Sequence, residues 1–183
     1  MKTLKIIFIS IFALFITSNL FAQSYLGHVT KQVNLREGPG TEYIVLQSLK
    51  PGRQLFILTL NDNSGFYNVI DIETNKMGFV SKSFIKIGKE LGQSSGDFIS
   101  ATGESSTSDT EIEVYNNTNL NLSLKLNEDV YTFKSKERQT ISITPSLYNF
   151  IASAPGVTPS YGIKKLESSK KYTWEFYIVT RRR

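Results

Sequence analysis

The side chains that could break covalent bonds are few in this sequence. The chain has no cysteine and a single histidine, His28. A thiolate nucleophile, a thiolate metal site, a disulfide and a lipid-modified cysteine are therefore excluded. One imidazole cannot provide the several ligands of a hydrolytic zinc site, so His28 is predicted to be an ordinary strand residue. We expect neither a metal nor a cofactor.

Carboxylates are the remaining candidates, because a glycosidase needs two of them and the chain has sixteen acidic residues. The acids that we considered lie in predicted turns and linkers, where a solvated surface position is the usual explanation; they are Asp62, Glu73, Glu104, Asp109, Glu128 and Asp129. A Gly-x-Ser-x-Gly elbow and a glycine-rich phosphate loop are absent from the sequence. The sequence therefore predicts a protein that is not an enzyme.

Residues 1–22 have the layout of a secretory signal peptide. Lys2 and Lys5 precede an apolar run over residues 6–16, and polar residues then lead to Ala22. Residues 6–16 are ten apolar residues and Ser10, too few to cross a bilayer as a helix, so we expect cleavage after Ala22. The alternative is an uncleaved anchor. The predicted product is exported to the periplasm, the cell envelope or the medium and has no transmembrane segment.

The charge and composition of the chain limit the classes of partner that we expect it to bind. After this cleavage 19 basic and 16 acidic residues would remain, and the basic residues are scattered. So small an excess of basic residues does not favour nucleic-acid binding. The run Arg181, Arg182 and Arg183 is expected to be a solvated end. An exported protein without disulfides is more typical of a bacterial envelope than of small eukaryotic secreted proteins.

The mature chain divides into two parts. Residues 92–109 contain eleven Gly, Ser or Thr in eighteen positions, too little apolar surface to offset the entropy of ordering. We therefore predict a flexible linker at 89–109, between one domain at 27–88 and another at 110–180.

Both domains are predicted to be all-β, because their segments are short, alternating and closed by turn residues. Six strands joined by tight turns suit a small closed barrel in the first domain. The strands are predicted at residues 27–30, 33–36, 44–49, 54–60, 66–71 and 77–80.

The second domain shows period-two alternation most clearly. Leu120, Leu122, Leu124 and Leu126 would project from one face of a strand. A last strand over residues 172–179 alternates in the same way, with Tyr172, Trp174, Phe176 and Ile178 on one face. About seven such strands predict an antiparallel β-sandwich.

Four pieces of the first domain resemble the bacterial Src-homology-3-like (SH3b) domain of exported and cell-wall proteins. Residues 33–41 (VNLREGPGT) are similar to its signature loop, and residues 50–52 (KPG) precede a β-rich strand as in that family. Residues 65–69 (GFYNV) resemble its Gly-Trp-Tyr-x-Val segment, and residues 78–85 (GFVSKSFI) its closing segment. The likeness spans about residues 27–87. It implies an SH3-like barrel and a ligand in the cell wall.

The sequence departs from that family at Phe66 and Phe79, where tryptophan is frequent, so an indole donor is lost. In the signature loop, Pro39 fixes one backbone angle, and Gly38 and Gly40 are expected to adopt positive φ. In the second domain, residues 144–156 are weakly similar to envelope-associated immunoglobulin-like sandwiches, and this similarity assigns no functional residue.

A ligand-binding rim is predicted on the barrel. Tyr43, Tyr67 and Phe66 would offer aromatic faces to sugars or short peptides, and Glu42, Asn61 and Asp62 would offer hydrogen bonds at the edge. Phe79 and Phe84 are expected to be core residues, because small barrels fill their interiors with such side chains.

The leading functional hypothesis is non-catalytic attachment to peptidoglycan or another envelope glycan or peptide through the SH3-like barrel. The second is a protein–protein adaptor whose sandwich pairs with an envelope protein while the barrel is structural. The third is a cell-wall hydrolase or its accessory.

Overall fold

The computed structural model describes residues 23–61, 64–94 and 99–178. The predicted signal peptide, Asp62 and the three C-terminal arginines lie outside the described residues.

The described chain is all-β, as predicted, and its helical content is one 3₁₀ turn, Lys82–Phe84. The strands are β1 (Ser24–Val29), β2 (Val33–Arg36), β3 (Val45–Leu49), β4 (Gln54–Ile57), β5 (Phe66–Asp71), β6 (Lys76–Ser81), β7 (Ile85–Leu91), β8 (Ile99–Glu104), β9 (Thr110–Asn116), β10 (Leu122–Leu126), β11 (Asp129–Phe133), β12 (Arg138–Ile143), β13 (Ser146–Ala154), β14 (Val157–Leu166) and β15 (Lys170–Phe176).

Strands β1–β7 form the N-terminal unit (residues 24–91), a single antiparallel sheet in the order β3-β2-β6-β5-β4-β1-β7. Side chains from one face of this sheet meet in one core, which shows that the sheet curls strongly on itself. This core contains Val29, Leu35, Leu49, Leu55, Ile57, Val69 and Val80, with Ile85 and Ile87 packed against it.

The prediction of a closed barrel is wrong. The sequence analysis missed β7, which pairs with β1 and so forms one edge of the sheet, while β3 forms the other. Among the described residues no ladder joins β3 to β7, and the curled sheet stays open.

Close strand contact inside this unit depends on Gly78 of β6. A Cβ atom at this position would lie 2.5 Å from the backbone oxygen of Arg36 on β2, well inside van der Waals contact. Glycine is therefore needed where β2 and β6 approach each other.

Strands β8–β15 form the C-terminal unit (residues 99–176), a sandwich of two four-stranded sheets, and the prediction of a β-sandwich is confirmed. The orders are β11-β10-β13-β14 and β12-β9-β15-β8, with antiparallel pairs except for parallel β9 and β15. Leu122, Leu124 and Leu126 face the core as predicted, whereas Leu120 precedes β10 and Ile178 is exposed beyond β15.

The structure differs from the prediction in the linker. Ile99–Glu104, inside the predicted flexible segment, is β8 and pairs with β15, and Ile99 is buried. An edge strand is held by backbone hydrogen bonds and needs few buried side chains of its own. A composition of small polar residues therefore did not prevent strand formation here.

The two units pack against each other through the outer face of the curled sheet. Phe56 and Ile70 of that face contact Tyr161 of β14, and the Phe56 and Tyr161 ring centroids lie 5.5 Å apart. The Tyr161 hydroxyl accepts a hydrogen bond from the Ser24 backbone N–H at 3.3 Å and donates one to the Leu91 carbonyl. The interface is thus both apolar and hydrogen-bonded.

Candidate functional site

The loop between β2 and β3 presents an exposed tyrosine on a stiff support. The Arg36 guanidinium donates to the carbonyl oxygens of Thr41 and Tyr43, both at 2.8 Å. The Glu37 N–H donates to the Ile44 carbonyl at 3.0 Å, which closes the loop at its base. Tyr43 remains 43% exposed. The loop therefore holds one aromatic ring in place without burying it.

The glycines of this loop have a role that differs from the prediction. Neither Gly38 nor Gly40 has positive φ; among the described glycines, those that do are Gly52, Gly65 and Gly156. The Tyr43 ring lies directly against Gly38, where a Cβ atom would collide with it, and the Glu42 carboxylate lies against Gly40 in the same way. The missing Cβ atoms of Gly38 and Gly40 leave room for the Tyr43 and Glu42 side chains, and neither glycine serves to provide a positive φ.

The two aromatic residues predicted on β5 are separated by the fold. Phe66 and Tyr67 are neighbours in one strand and point to opposite faces of the sheet. Tyr67 packs against the core, with the Lys82 ammonium 4.8 Å from its ring centroid. Tyr67 therefore does not share a surface with Phe66.

The predicted polar residues are brought together only in part. Glu42 is exposed in the same loop as Tyr43. Asn61 is exposed beyond β4, where its backbone N–H donates a hydrogen bond to the Thr59 hydroxyl oxygen at 3.1 Å. Asp62 lies outside the described residues. Of the predicted set, Glu42 and Tyr43 thus form a compact pair.

Sequence reasoning missed a row of side chains on the outer face of the sheet. Phe79 of β6 pairs with Arg36 of β2 on one side and with Asn68 of β5 on the other. Each of the three is next to a core residue in its own strand and therefore faces away from the core. Phe79 and Phe84 are half-buried and outside the core cluster, which corrects the prediction for both. The alternation with Leu35 and Val80 could have placed Arg36 and Phe79 on this face.

Apolar exposure continues from the loop into β3. Tyr43, Ile44, Val45 and Leu46 are four consecutive exposed apolar residues, and Ile44 reaches 68% exposure. Because β3 is an edge strand, this stretch faces solvent beside the loop. We call residues 36–46 the loop surface.

A buried ion pair closes one end of the curled sheet. The Asp71 carboxylate, 0% exposed, accepts from Arg53 Nε at 2.6 Å and Nη2 at 2.8 Å, from Gln47 at 3.0 Å and from Thr74 at 2.5 Å. Arg53 also pairs with Glu73.

Burial alone raises the pKa of Asp71, but the hydrogen bonds from Arg53, Thr74 and Gln47 and the Arg53 charge outweigh it, so the pKa is lowered from its ordinary value. Both oxygens of this carboxylate are engaged and it has no proton to give. Asp71 therefore links the end of β5 to Gln47 of β3 and to Arg53, which directly precedes β4.

A cleft of about 470 Å³ lies between the two units. Leu58 and Thr59 of the N-terminal unit form part of one wall, and β10, β13 and β14 of the sandwich form its floor. The cleft contains one ion pair, in which Lys125 Nζ lies 3.3 Å from Glu128 Oε2. No local pattern of the sequence indicated this site, because it exists only where the units meet.

Two classes of site have no candidate in the part of the chain that the structure describes. No three His, Cys, Asp or Glu side chains within it are grouped so that they could hold a metal ion. None of its helical segments has the length and apolar character to cross a membrane.

The fold and these surfaces define an all-β protein of two packed units with an exposed aromatic loop and a cleft between the units. Searches of protein-family models, of curated proteins and of solved structures found no match to this chain.

Proposed function

We propose that this protein is a non-catalytic binding protein of the bacterial cell envelope. In this proposal its N-terminal unit attaches to peptidoglycan or to another envelope glycan or peptide. The observation that carries the proposal is Tyr43, a solvent-exposed ring fixed on a braced loop.

A fixed aromatic ring is suited to binding at low entropic cost. Arg36 and the close seat on Gly38 already restrict the loop and the ring, so little freedom is lost when a ligand arrives. The faces of such rings stack on sugars and on peptide side chains, and the adjacent Glu42 carboxylate can accept hydrogen bonds from ligand hydroxyl or amide groups.

The ligand class comes from the resemblance of residues 33–41, 50–52, 65–69 and 78–85 to the SH3b domain. The same segments occupy β2, the turn before β4, β5 and β6 of the curled sheet. Phe79, one of the two departures from the family pattern, lies on the outer face beside Arg36, where it supplies apolar area without an indole donor.

Sedimentation with purified, insoluble peptidoglycan tests the proposal. The protein without the predicted signal peptide is used undivided, because separated units would expose Phe56, Ile70 and Tyr161 of their interface. Tyr67→Ala is avoided, since Tyr67 packs against the core.

We expect the wild-type protein to sediment and Tyr43→Ala to lose at least about 80% of the retained fraction. The matched control is Tyr177→Ala, which removes a tyrosine that is 63% exposed on the C-terminal unit. Equal retention of Tyr43→Ala and wild type, or no retention of the wild type, would contradict the proposal. A fall in the turbidity of the suspension would show hydrolysis and contradict the non-catalytic assignment.

A protein–protein adaptor is the second candidate, because the sandwich also has exposed apolar side chains. Val130 lies on the edge strand β11, and Leu147 is exposed on β13. If the protein does not sediment with peptidoglycan, cross-linking in envelope extracts tests this role, with Val130→Glu as the comparison variant. Loss of a discrete cross-linked product in the variant supports the role, and an unchanged pattern contradicts it.

A further inference from the structure

An ordered row of four side chains crosses the sheet that forms the floor of the cleft, and three of them, Lys125, Ile151 and Tyr161, line the cleft. In register, Val130 lies opposite Lys125, Lys125 opposite Ile151, and Ile151 opposite Tyr161. All four therefore project from the outer face of the same sheet, away from the sandwich core. Lys125 is the one cation of this row, and its neighbours on the two adjacent strands, Val130 and Ile151, are apolar.

The charge balance of this cleft favours an anion. The Lys125 side chain is only 18% exposed, whereas its partner Glu128 is 94% exposed. A carboxylate that is almost fully solvated compensates the Lys125 charge poorly, because water screens the pair. Lys125 has three N–H donors, and the structure shows one of them bound to Glu128. A second anion would therefore gain hydrogen bonds and charge compensation there.

The remaining lining is that of a peptide site. Leu58, Ile151 and Ile163 provide apolar contacts, and the amide side chains of Gln93, Asn127 and Asn149 line the same cleft. The Asn127 amide oxygen already accepts from the Asn149 backbone N–H at 3.0 Å, and the remaining amide groups can pair with peptide N–H and C=O groups. A volume of about 470 Å³ lies within the usual range for ligand pockets, about 300–1,000 Å³.

We propose that this cleft binds a short peptide through its free C-terminal carboxylate, which is held by Lys125, with an apolar last side chain against Ile151 and Leu58. The inference does not depend on the proposed attachment to peptidoglycan, which concerns the loop surface. A protein that fails to sediment with peptidoglycan can still bind peptides here, and the reverse also holds.

Titration followed by ¹⁵N–¹H NMR tests the inference. The probes are N-acetyl-Gly-X dipeptides with X equal to Ala, Val, Leu or Phe, each as the free acid and as the C-terminal amide. We expect at least one free acid to shift the backbone signals of Asn127, Asn149 and Ile151, and its amide to bind at least fivefold more weakly. No such shifts with any acid at 10 mM, or equal binding of acid and amide, would overturn the proposal.

Two variants are expected to change the affinity for the free acid in opposite directions. Lys125→Met keeps the apolar stem and should weaken binding of the free acid at least tenfold. Glu128→Gln removes the competing carboxylate and should tighten it two- to fivefold. The matched control is Lys165→Met, which removes an exposed lysine of the same unit that is 3.8 Å from Glu167 and outside the cleft. Tighter binding by Lys125→Met, or weaker binding by Glu128→Gln, would show that the cleft prefers a cation and overturn the inference.

Discussion

The two units place their aromatic side chains differently. In the C-terminal unit, Trp174 is fully buried, with the Phe150 and Phe176 rings 5.2 and 5.1 Å from its centroid. In the N-terminal unit, Tyr43 is exposed and Phe79 is half-buried on the outer face. The sandwich therefore packs an aromatic cluster into its core, and the curled sheet leaves aromatic area available for a ligand.

Their buried polar groups differ as well. The N-terminal unit buries the ion pair of Asp71 and Arg53. The C-terminal unit buries neutral Asn116, whose side-chain amide donates to the carbonyl oxygens of Leu120 and Lys134, both at 2.8 Å. A charged pair responds to pH, whereas a neutral amide does not. We therefore expect the two units to differ in their sensitivity to acid.

The largest effect is expected in the sandwich core. Trp174→Ala should lower the free energy of unfolding by about 3–5 kcal/mol, because it removes a fully buried ring and leaves a cavity. Urea unfolding followed by circular dichroism measures it. Trp174→Phe is the graded control and should lose less, and Tyr43→Ala should lose under about 0.5 kcal/mol. Equal losses in the free energy of unfolding for Trp174→Ala and Tyr43→Ala would show that the buried and the exposed ring contribute equally to stability.

Removal of the charge partner in the N-terminal unit comes next. Arg53→Met leaves the Asp71 carboxylate buried without its cation and should cost about 3 kcal/mol, since only neutral donors remain. The urea midpoint of the variant at pH 7 checks this expectation. A change below about 1 kcal/mol would show that Gln47 and Thr74 alone compensate the charge.

The same ion pair predicts a dependence on acid pH. The folded pKa of Asp71 is lowered, below an unfolded value of about 3.9. Its stabilisation is therefore present above about pH 4 and is lost as the pH falls through the folded pKa. Urea midpoints between pH 2.5 and 7 should fall more steeply in acid for wild type than for Asp71→Asn. Parallel curves would count against the assignment of this acid sensitivity to Asp71.

A smaller effect is expected at the contact between the units. Tyr161→Phe keeps the ring against Phe56 but loses the hydroxyl that bonds to Ser24 and Leu91, at a cost of about 1–2 kcal/mol. Tyr161→Ala also removes the ring and should separate thermal unfolding into two transitions. One transition in the calorimeter for both variants would show that the units unfold together without this contact.

The smallest effect on stability is expected in the loop. Gly38→Ala pushes the Tyr43 ring from its seat, but that ring is exposed and can rotate away, so the cost should stay below about 1 kcal/mol. Retention on peptidoglycan should nevertheless fall, since the ring is no longer fixed. Gly103→Ala, at a position with open space around the missing Cβ, is the control. Unchanged retention in Gly38→Ala would show that the position of the ring does not matter.

Much of the fold was predictable because side-chain alternation reports directly which face of a strand is buried. The predicted strands at 33–36 and 66–71 have the observed bounds, and Leu122, Leu124 and Leu126 enter the core as their spacing requires. Glu42 and Tyr43, both predicted on the rim, lie together in one exposed loop. The assignment of Tyr67 to the same surface overlooked its neighbour Phe66, since adjacent strand residues face opposite ways.

The all-β class, the sandwich, the absence of cysteine and the single histidine follow from composition and local periodicity, so the sequence alone was sufficient for them. Tertiary structure decided that β8 joins β15, that β7 leaves the sheet open, that Arg53 meets Asp71 and that Lys125 lies in a cleft between the units. These features depend on pairing and charge contact between residues far apart in the chain, and a local pattern does not encode which distant segments will meet.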